Sequence, residues 1–159
     1  MNLADEFTAL IVGLQAAHID FAVCGGWAMA LHGFPRLTRD IDFLVQPDDL
    51  LRILDIAKKC GYEEVVETLT LGPRDNPTCV IRRINKFQGE DHVMLDFIEV
   101  LSRLEDVWAG RVSYAWQSVA VPVVSAVGLA KMKRLAGRPQ DLVDIETLGF
   151  KADDPAIQP

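Results

Sequence analysis

The stretch that most constrains this chain runs from Phe21 to Val45, FAVCGGWAMALHGFPRLTRDIDFLV. Phe21 to Cys24 is an apolar run too short for a helix and closed by Gly25-Gly26, which predicts a buried strand. Trp27 to Leu31 suits a helix of about two turns that ends near Gly33 and Pro35. Ile41, Phe43 and Val45 then alternate with Asp40, Asp42 and Leu44, the period of a strand. Asp40 and Asp42 therefore leave one face, about 7 Å apart at the base, while Ile41 and Phe43 point to the core. Two anions held that close repel unless a cation sits between them. Carboxylates that share a divalent ion with waters and a substrate phosphate are the usual magnesium arrangement. The plain alternative for such a pair is an exposed strand face or two turn acids.

The glycines upstream add to the pair. A Gly-Gly turn that ends a strand and opens a helix lets a phosphate approach the backbone, and the helix start offers free N–H groups. Most such turns are only tight turns. Neither G-x-G-x-x-G nor G-x-x-x-x-G-K-[ST] is present. Arg36, Thr38 and Arg39 precede Asp40 directly and are candidates for binding triphosphate oxygens or buffering the carboxylates. His32 reads first as a satisfied structural histidine, and Trp27 as core rather than a stacking platform.

A third carboxylate comes later. Asp96 lies in VMLDFIEV, an apolar run that predicts a buried central strand. A buried ionised carboxylate is costly unless it is paired or holds a metal. Arg82 or Arg83 on the neighbouring strand is the structural partner to weigh against a metal. If the strands of Asp96 and of Asp40 and Asp42 are adjacent, three carboxylates converge, a set that suits two metal ions and in-line displacement at phosphorus.

The remaining chain reads as alternating helices and strands. Residues 3–18 carry an apolar stripe of Leu3, Phe7, Leu10, Ile11 and Leu14, which predicts a helix. Pro47-Asp48-Asp49 starts another, stopped at Gly61. Thr78 to Ile84 and His92 to Val100 predict a hairpin around the polar turn 86–91. The stretch 61–76 shows no clear element. Arg111 to Ala115 and Val119 to Val123 read as short strands, and 104–109 as a turn of helix. Ser125 caps a helix over 126–136, and Pro139 starts a last one ended by Gly149. Lys133 lies off the apolar side of its helix, either as a phosphate contact or as a solvated charge. Arg138, Asp141 and Asp144 fall at three-residue steps, which favours a structural ion-pair ladder. The organisation expected is one domain over residues 1–150 with a frayed tail over 151–159.

Composition narrows the partners. A net charge of −7 argues against a general nucleic-acid binder, leaving room only for a local basic patch. The N-terminus carries Asp5 and Glu6 with no basic region, and its apolar residues are spaced as an amphipathic helix, so neither a signal peptide nor a membrane span is expected. Cys24, Cys60 and Cys79 lack metal-type spacing and read as reduced thiols of a cytoplasmic protein, with Cys24 in the packing.

With these pieces together the chain resembles the nucleotidyltransferase superfamily of DNA polymerase beta type, and more narrowly the small bacterial members that include abortive-infection toxins. The resemblance rests on Cys24-Gly25-Gly26, thirteen residues from Trp27 to Arg39, and Asp40-Ile41-Asp42-Phe43, with LAKMKRLAGRPQDLVDIETL near the end. It implies an α+β nucleotidyltransferase fold, a mixed sheet flanked by helices, with C-terminal helices. It further implies two Mg²⁺ ions on Asp40, Asp42 and Asp96, with Asp96 on the nucleophile side and accepting the acceptor's proton. Gly25 and Gly26 would hold the triphosphate of an NTP such as ATP, with Arg36, Thr38 and Lys133 as further nucleotide contacts. The implied reaction moves an NMP to an acceptor hydroxyl on a tRNA end, a protein or a small molecule. A toxin role would bring a cognate antitoxin, and the small size suggests a groove completed by a second copy or another partner.

Two rivals remain. A glycosyltransferase also uses a D-x-D pair, on a nucleotide sugar, but this chain is short for that fold and its Gly-Gly turn lies close upstream. A non-catalytic nucleotide- or partner-binding module of the same fold is the other, against which three retained acids argue.

Overall fold

In the computed structural model, which describes residues 1–63 and 65–158, the chain forms seven strands and six α-helices. The first helix, α1 (Leu3–Ala16), is capped by the Asn2 side chain, which accepts from the Ala4 N–H, and buries Phe7, Leu10, Ile11 and Leu14. These are residues of the apolar stripe read in the sequence. β1 (Phe21–Val23) leads into α2 (Gly25–Leu31), and β2 (Asp40–Val45) follows the loop that carries Arg36 and Thr38. Pro47–Asp49 is a 3-10 turn that enters α3 (Leu50–Lys59), so the expected helix begins one turn later than Pro47 suggests.

β3 (Glu67–Leu71), β4 (Cys79–Gln88) and β5 (Asp91–Glu99) come next, then α4 (Glu105–Ala109), β6 (Val112–Trp116) and β7 (Val119–Val123). β3 falls in the stretch where no element was expected. All five of its residues are exposed, so no burial pattern marks it, and pairing with β4 alone makes it a strand. The β4–β5 hairpin is tighter than expected, with the ladder running to Gln88↔Asp91 around Gly89 at φ +62°. α5 (Ala126–Ala136) is capped by the Ser125 hydroxyl and ends at Gly137 in the left-handed region, and α6 (Pro139–Thr147) closes the series.

The strands join one mixed sheet in the order β3-β4-β5-β2-β1-β7-β6. β2 pairs with β5 in parallel and with β1 antiparallel. Alternation then divides the sheet by face. Ile41 and Phe43 of β2 share a side with Leu95 and Phe97 of β5, all fully buried. Phe7 of α1 stacks on this side against Phe43 and, at 4.0 Å between centroids, against Trp27. Trp27 is thus a core residue. Burying a side chain of that size contributes roughly 1.5–3 kcal/mol. α1 and α3 approach closely enough that a Cβ on Gly13 would meet Ile56 at 2.8 Å.

The described part of the tail is not frayed. Asp154 caps a 3-10 turn at Pro155–Ile157, and Ile157, fully buried, packs with Ala130 of α5 and Ile145 of α6. One apolar residue in a polar tail supplies that anchor; Pro159 lies outside the described residues. No helix of the described residues is long and apolar enough to cross a membrane.

Candidate active site

The parallel register of β2 and β5 sets Asp42 directly beside Asp96 and Asp40 beside Met94. Residues paired in this way share a face, so Asp40, Asp42 and Asp96 emerge together, opposite Phe43 and Phe97. Asp40 and Asp42 are partly buried, and Asp96 is 4 % exposed. Burial, with Asp96 and then Asp40 nearby, pushes the Asp42 carboxyl up to about 7. Asp40 is raised as well, by burial first and then by Asp96, although Arg83 and Arg138 oppose the rise. In both, burial is the first cause and repulsion among the three carboxylates adds to it.

The glycine turn touches this cluster. Cys24, fully buried, donates its backbone N–H to the Asp42 carbonyl at 3.0 Å, which ties the end of β1 to β2. Burial and the nearby Asp42 and Asp96 push its thiol well up, so it packs as a neutral side chain. Gly25 has φ +60°, and a Cβ there would lie 2.0 Å from Asp42 Oδ2. A Cβ on Gly26 would lie 2.7 Å from Thr38 Oγ1. Both glycines are therefore required by side chains of this chain, whatever else approaches them. Thr38 is fixed in place by a hydrogen bond from its hydroxyl to the Asp40 carbonyl.

Asp96 has the arginine partner that the sequence raised as an alternative to metal. Arg83, its register neighbour on β4, donates from Nε to Oδ1 at 2.8 Å and from Nη2 to Oδ2 at 2.7 Å. The same bonds raise the Arg83 pKa. Arg82 faces the other way and pairs with Glu99. Among the described residues no three His, Cys, Asp or Glu side chains stand ready as a metal-binding group. The donor chemistry nonetheless suits a hard cation. The acids are oxygen donors on one face of the sheet, the ligand type that magnesium takes.

A second buried ionic group lies on α5 and α6. Lys133 is 4 % exposed and hydrogen-bonds Asp144, with Asp141 at 3.5 Å. It is therefore not a solvated helix charge. Asp144 also accepts from Gln140 and pairs with Arg36 at 3.2 Å, which ties the loop before β2 to α6. Burial pushes the Asp144 carboxyl up, but the Lys133 and Gln140 hydrogen bonds with the Lys133 and Arg36 charges outweigh it and hold it below the ordinary value. Arg138 caps α6 through Asp141. The expected ladder is thus a three-way cluster across α5, α6 and the loop, since Asp144 turns inward to Lys133.

The structure brings Gly25, Gly26, Thr38, Asp40, Asp42 and Asp96 together. Arg36 and Lys133 are held through Asp144. Arg138, read from the sequence chiefly as part of a structural ion-pair ladder, also adds a cation near the acids, as its charge opposes the rise of both Asp40 and Asp42. No spacing signal could have shown this, because Arg138 and Asp40 are joined only by the packing of α6. His32 is settled by its partners. Nε2 lies 2.8 Å from the Val124 carbonyl, which can only accept, so Nδ1 receives the Tyr114 hydroxyl at 3.0 Å, and neither nitrogen is free.

Among curated proteins no sequence matches the chain. Solved structures share its fold. The antibiotic-resistance factor ANT(2'')-Ia has 13 % identity and a TM-score of 0.66 over 91 % of this chain and 81 % of that one. The lincosamide antibiotic adenylyltransferase LnuA has 14 % identity and a TM-score of 0.61, over 91 % and 95 %. A Thermotoga maritima protein assigned as a nucleotidyltransferase has 14 % identity and a TM-score of 0.63, over 89 % and 88 %. At these identities the likeness is one of fold. The family model described as nucleotidyl transferase AbiEii toxin, type IV toxin–antitoxin system, matches residues 10–149, nearly the whole of the sheet and helices laid out above, and the chain is a nucleotidyltransferase belonging to that family.

Proposed function

We propose that this nucleotidyltransferase moves a nucleoside monophosphate from an NTP to an acceptor hydroxyl, with magnesium held by Asp40, Asp42 and Asp96. The observation that carries the reading is the β2–β5 register, which sets the three acids on one face beside the Gly25-Gly26 turn. In the reaction the acceptor oxygen bonds to the α-phosphorus, the bond to the β-phosphate breaks, and pyrophosphate leaves. Magnesium, when bound, supplies charge neutralisation at the phosphates and lowers the pKa of the acceptor hydroxyl. Asp40 and Asp42 would hold it from one strand. Asp96 would complete the set from β5 and, once clear of the Arg83 fork, take the acceptor's proton at a carboxylate oxygen.

Backbone N–H groups at the start of α2 receive the triphosphate next to Gly25 and Gly26, and Thr38 lines that turn. Arg36 and Arg138 offer guanidinium groups on the α6 side of the acids, and Lys133 holds Asp144 so that Arg36 stays oriented. The chain's part is positioning and charge stabilisation. The family description fits a toxin that works against a cognate antitoxin. The acceptor classes to test are a small molecule, as for the lincosamide antibiotic adenylyltransferase that shares the fold, a tRNA end and a protein.

The test is incubation of the protein with each labelled NTP, Mg²⁺ and cell extract, beside the Asp40→Asn/Asp42→Asn variant. Label should move to one acceptor class with release of pyrophosphate in the wild type alone. Equal transfer by the variant refutes the site.

A further inference from the structure

We infer that Arg83 is a positioning residue that competes with a divalent cation for Asp96, so that Asp40 and Asp42 alone are open to metal until Arg83 lets Asp96 go. The inference rests on the reading of the acids as a metal site. Its basis is the geometry of the pair. Arg83 grips Asp96 side-on with both oxygens engaged, at 2.8 and 2.7 Å. A fork of that kind is the strongest form of the arginine–carboxylate contact, and its two bonds cover one side of each oxygen. Register explains why it forms. Arg83 and Asp96 are direct partners across β4 and β5, while Asp42 is the direct partner of Asp96 across β5 and β2. Asp96 therefore stands between a guanidinium on one side and two carboxylates on the other.

The rest of the neighbourhood leaves Arg83 in this role. Glu67 is its register partner on β3 but lies on an exposed edge strand, and no ion pair joins the two. Arg82, next in sequence, is on the opposite face with Glu99 and Thr68. Arg36 and Lys133 are spent on Asp144, and Arg138 is bonded to Asp141. Arg83 is partly exposed, with 27 % of its side chain in contact with solvent, so it has room to swing off Asp96 without unpacking the core. Among the described residues the three acids do not form a ready-made ligand group, although they share a face.

The consequence is an ordered site: Asp40 and Asp42 are available first, and Asp96 joins when its guanidinium is displaced. The experiment measures Mn²⁺ binding without nucleotide, from the free-Mn²⁺ electron paramagnetic resonance signal, in wild type, Arg83→Gln, Asp96→Asn and the double variant. Arg83→Gln is expected to tighten Mn²⁺ binding by roughly tenfold, because a nearby opposing charge is removed and Asp96 becomes a ligand. In the Asp96→Asn background the same change should tighten it much less, since only charge is removed. Arg83→Lys keeps the charge but cannot cover both oxygens, and should fall between wild type and Arg83→Gln. It also answers the question if Arg83→Gln does not fold. Equal tightening in both backgrounds, or no tightening, overturns the inference while leaving the metal site intact. Failure of the wild type to bind Mn²⁺ at all, or binding undiminished by Asp40→Asn/Asp42→Asn, removes the metal reading and this inference with it.

Discussion

Two groups of buried charges sit side by side in this protein, and they are built on opposite principles. On β2 and β5, three carboxylates face one bonded guanidinium, and the Asp42 carboxyl is driven up to about 7. On α5 and α6, two carboxylates meet Lys133, Arg36 and Arg138, and the Asp144 carboxyl is held down. The first arrangement is electrostatically costly, the second satisfied within the fold. A fold tolerates the first kind of cluster where a ligand is to complete it, and the second kind where helices must be locked to a loop. Arg138, bonded to one group and felt by the other, marks their boundary.

The contrast can be broken most severely by charge removal in the first group. Asp40→Asn/Asp42→Asn should lower nucleotidyl transfer on the order of a thousandfold or more in the labelled-NTP assay. The same variant should melt higher than wild type in metal-free buffer at pH 8, since repulsion is relieved. A lower melting temperature would mean that the acids are structurally paired after all.

In the second group, removal of one charge should do the reverse. Lys133→Met leaves Asp144 and Asp141 buried without their ammonium and should cost about 3–5 kcal/mol in urea unfolding. A loss below 1 kcal/mol would place Lys133 in solvent, not under α6. Gly25→Ala tests how closely the two elements of the first group meet. Its Cβ would collide with Asp42 and its φ is positive, so about 1–3 kcal/mol of stability should be lost in the same assay. An unchanged unfolding midpoint would show that Asp42 moves aside freely.

The smallest effect, and the sharpest for the comparison, is in pH. Asp42 titrates higher in the folded protein than its ordinary 3.8, so the native state binds the extra proton. Its contribution to stability is present at low pH and is lost as pH rises from about 4 to about 7. Asp144 titrates lower than ordinary, so its contribution is present above the ordinary carboxylate range and is lost as pH falls through the depressed value. Urea midpoints of metal-free wild type, Asp42→Asn and Asp144→Asn, followed from below the ordinary carboxylate range up to about pH 8, should therefore diverge in opposite senses. Wild type loses ground to Asp42→Asn as pH rises from about 4 to about 7, and loses its advantage over Asp144→Asn as pH falls below the ordinary carboxylate value. Parallel curves would show that the two groups are electrostatically alike.

Much of this was readable before any coordinates. Period-two alternation in Asp40 to Val45 gave the strand, the face shared by Asp40 and Asp42, and the buried side of Ile41 and Phe43. Local capping and stop signals at Ser125, Gly137 and Pro139 marked both C-terminal helices. β3 was not readable, because an edge strand exposed on every residue has no burial pattern to betray it. Docking of the tail was not either, since a single isoleucine among polar residues carries no periodicity.

Local order along the chain sets out the chemistry: a glycine turn, two acids two apart on a strand, and a third in an apolar run. All of these are local properties of spacing and polarity. Which charges pair is a matter of folding. The β2–β5 register put Asp96 beside Asp42, the β4–β5 register gave Arg83 to Asp96, and the packing of α5 against α6 turned Lys133 inward to Asp144. Coulomb energy and desolvation depend on distance and burial, and between residues far apart in the chain both are set by folding.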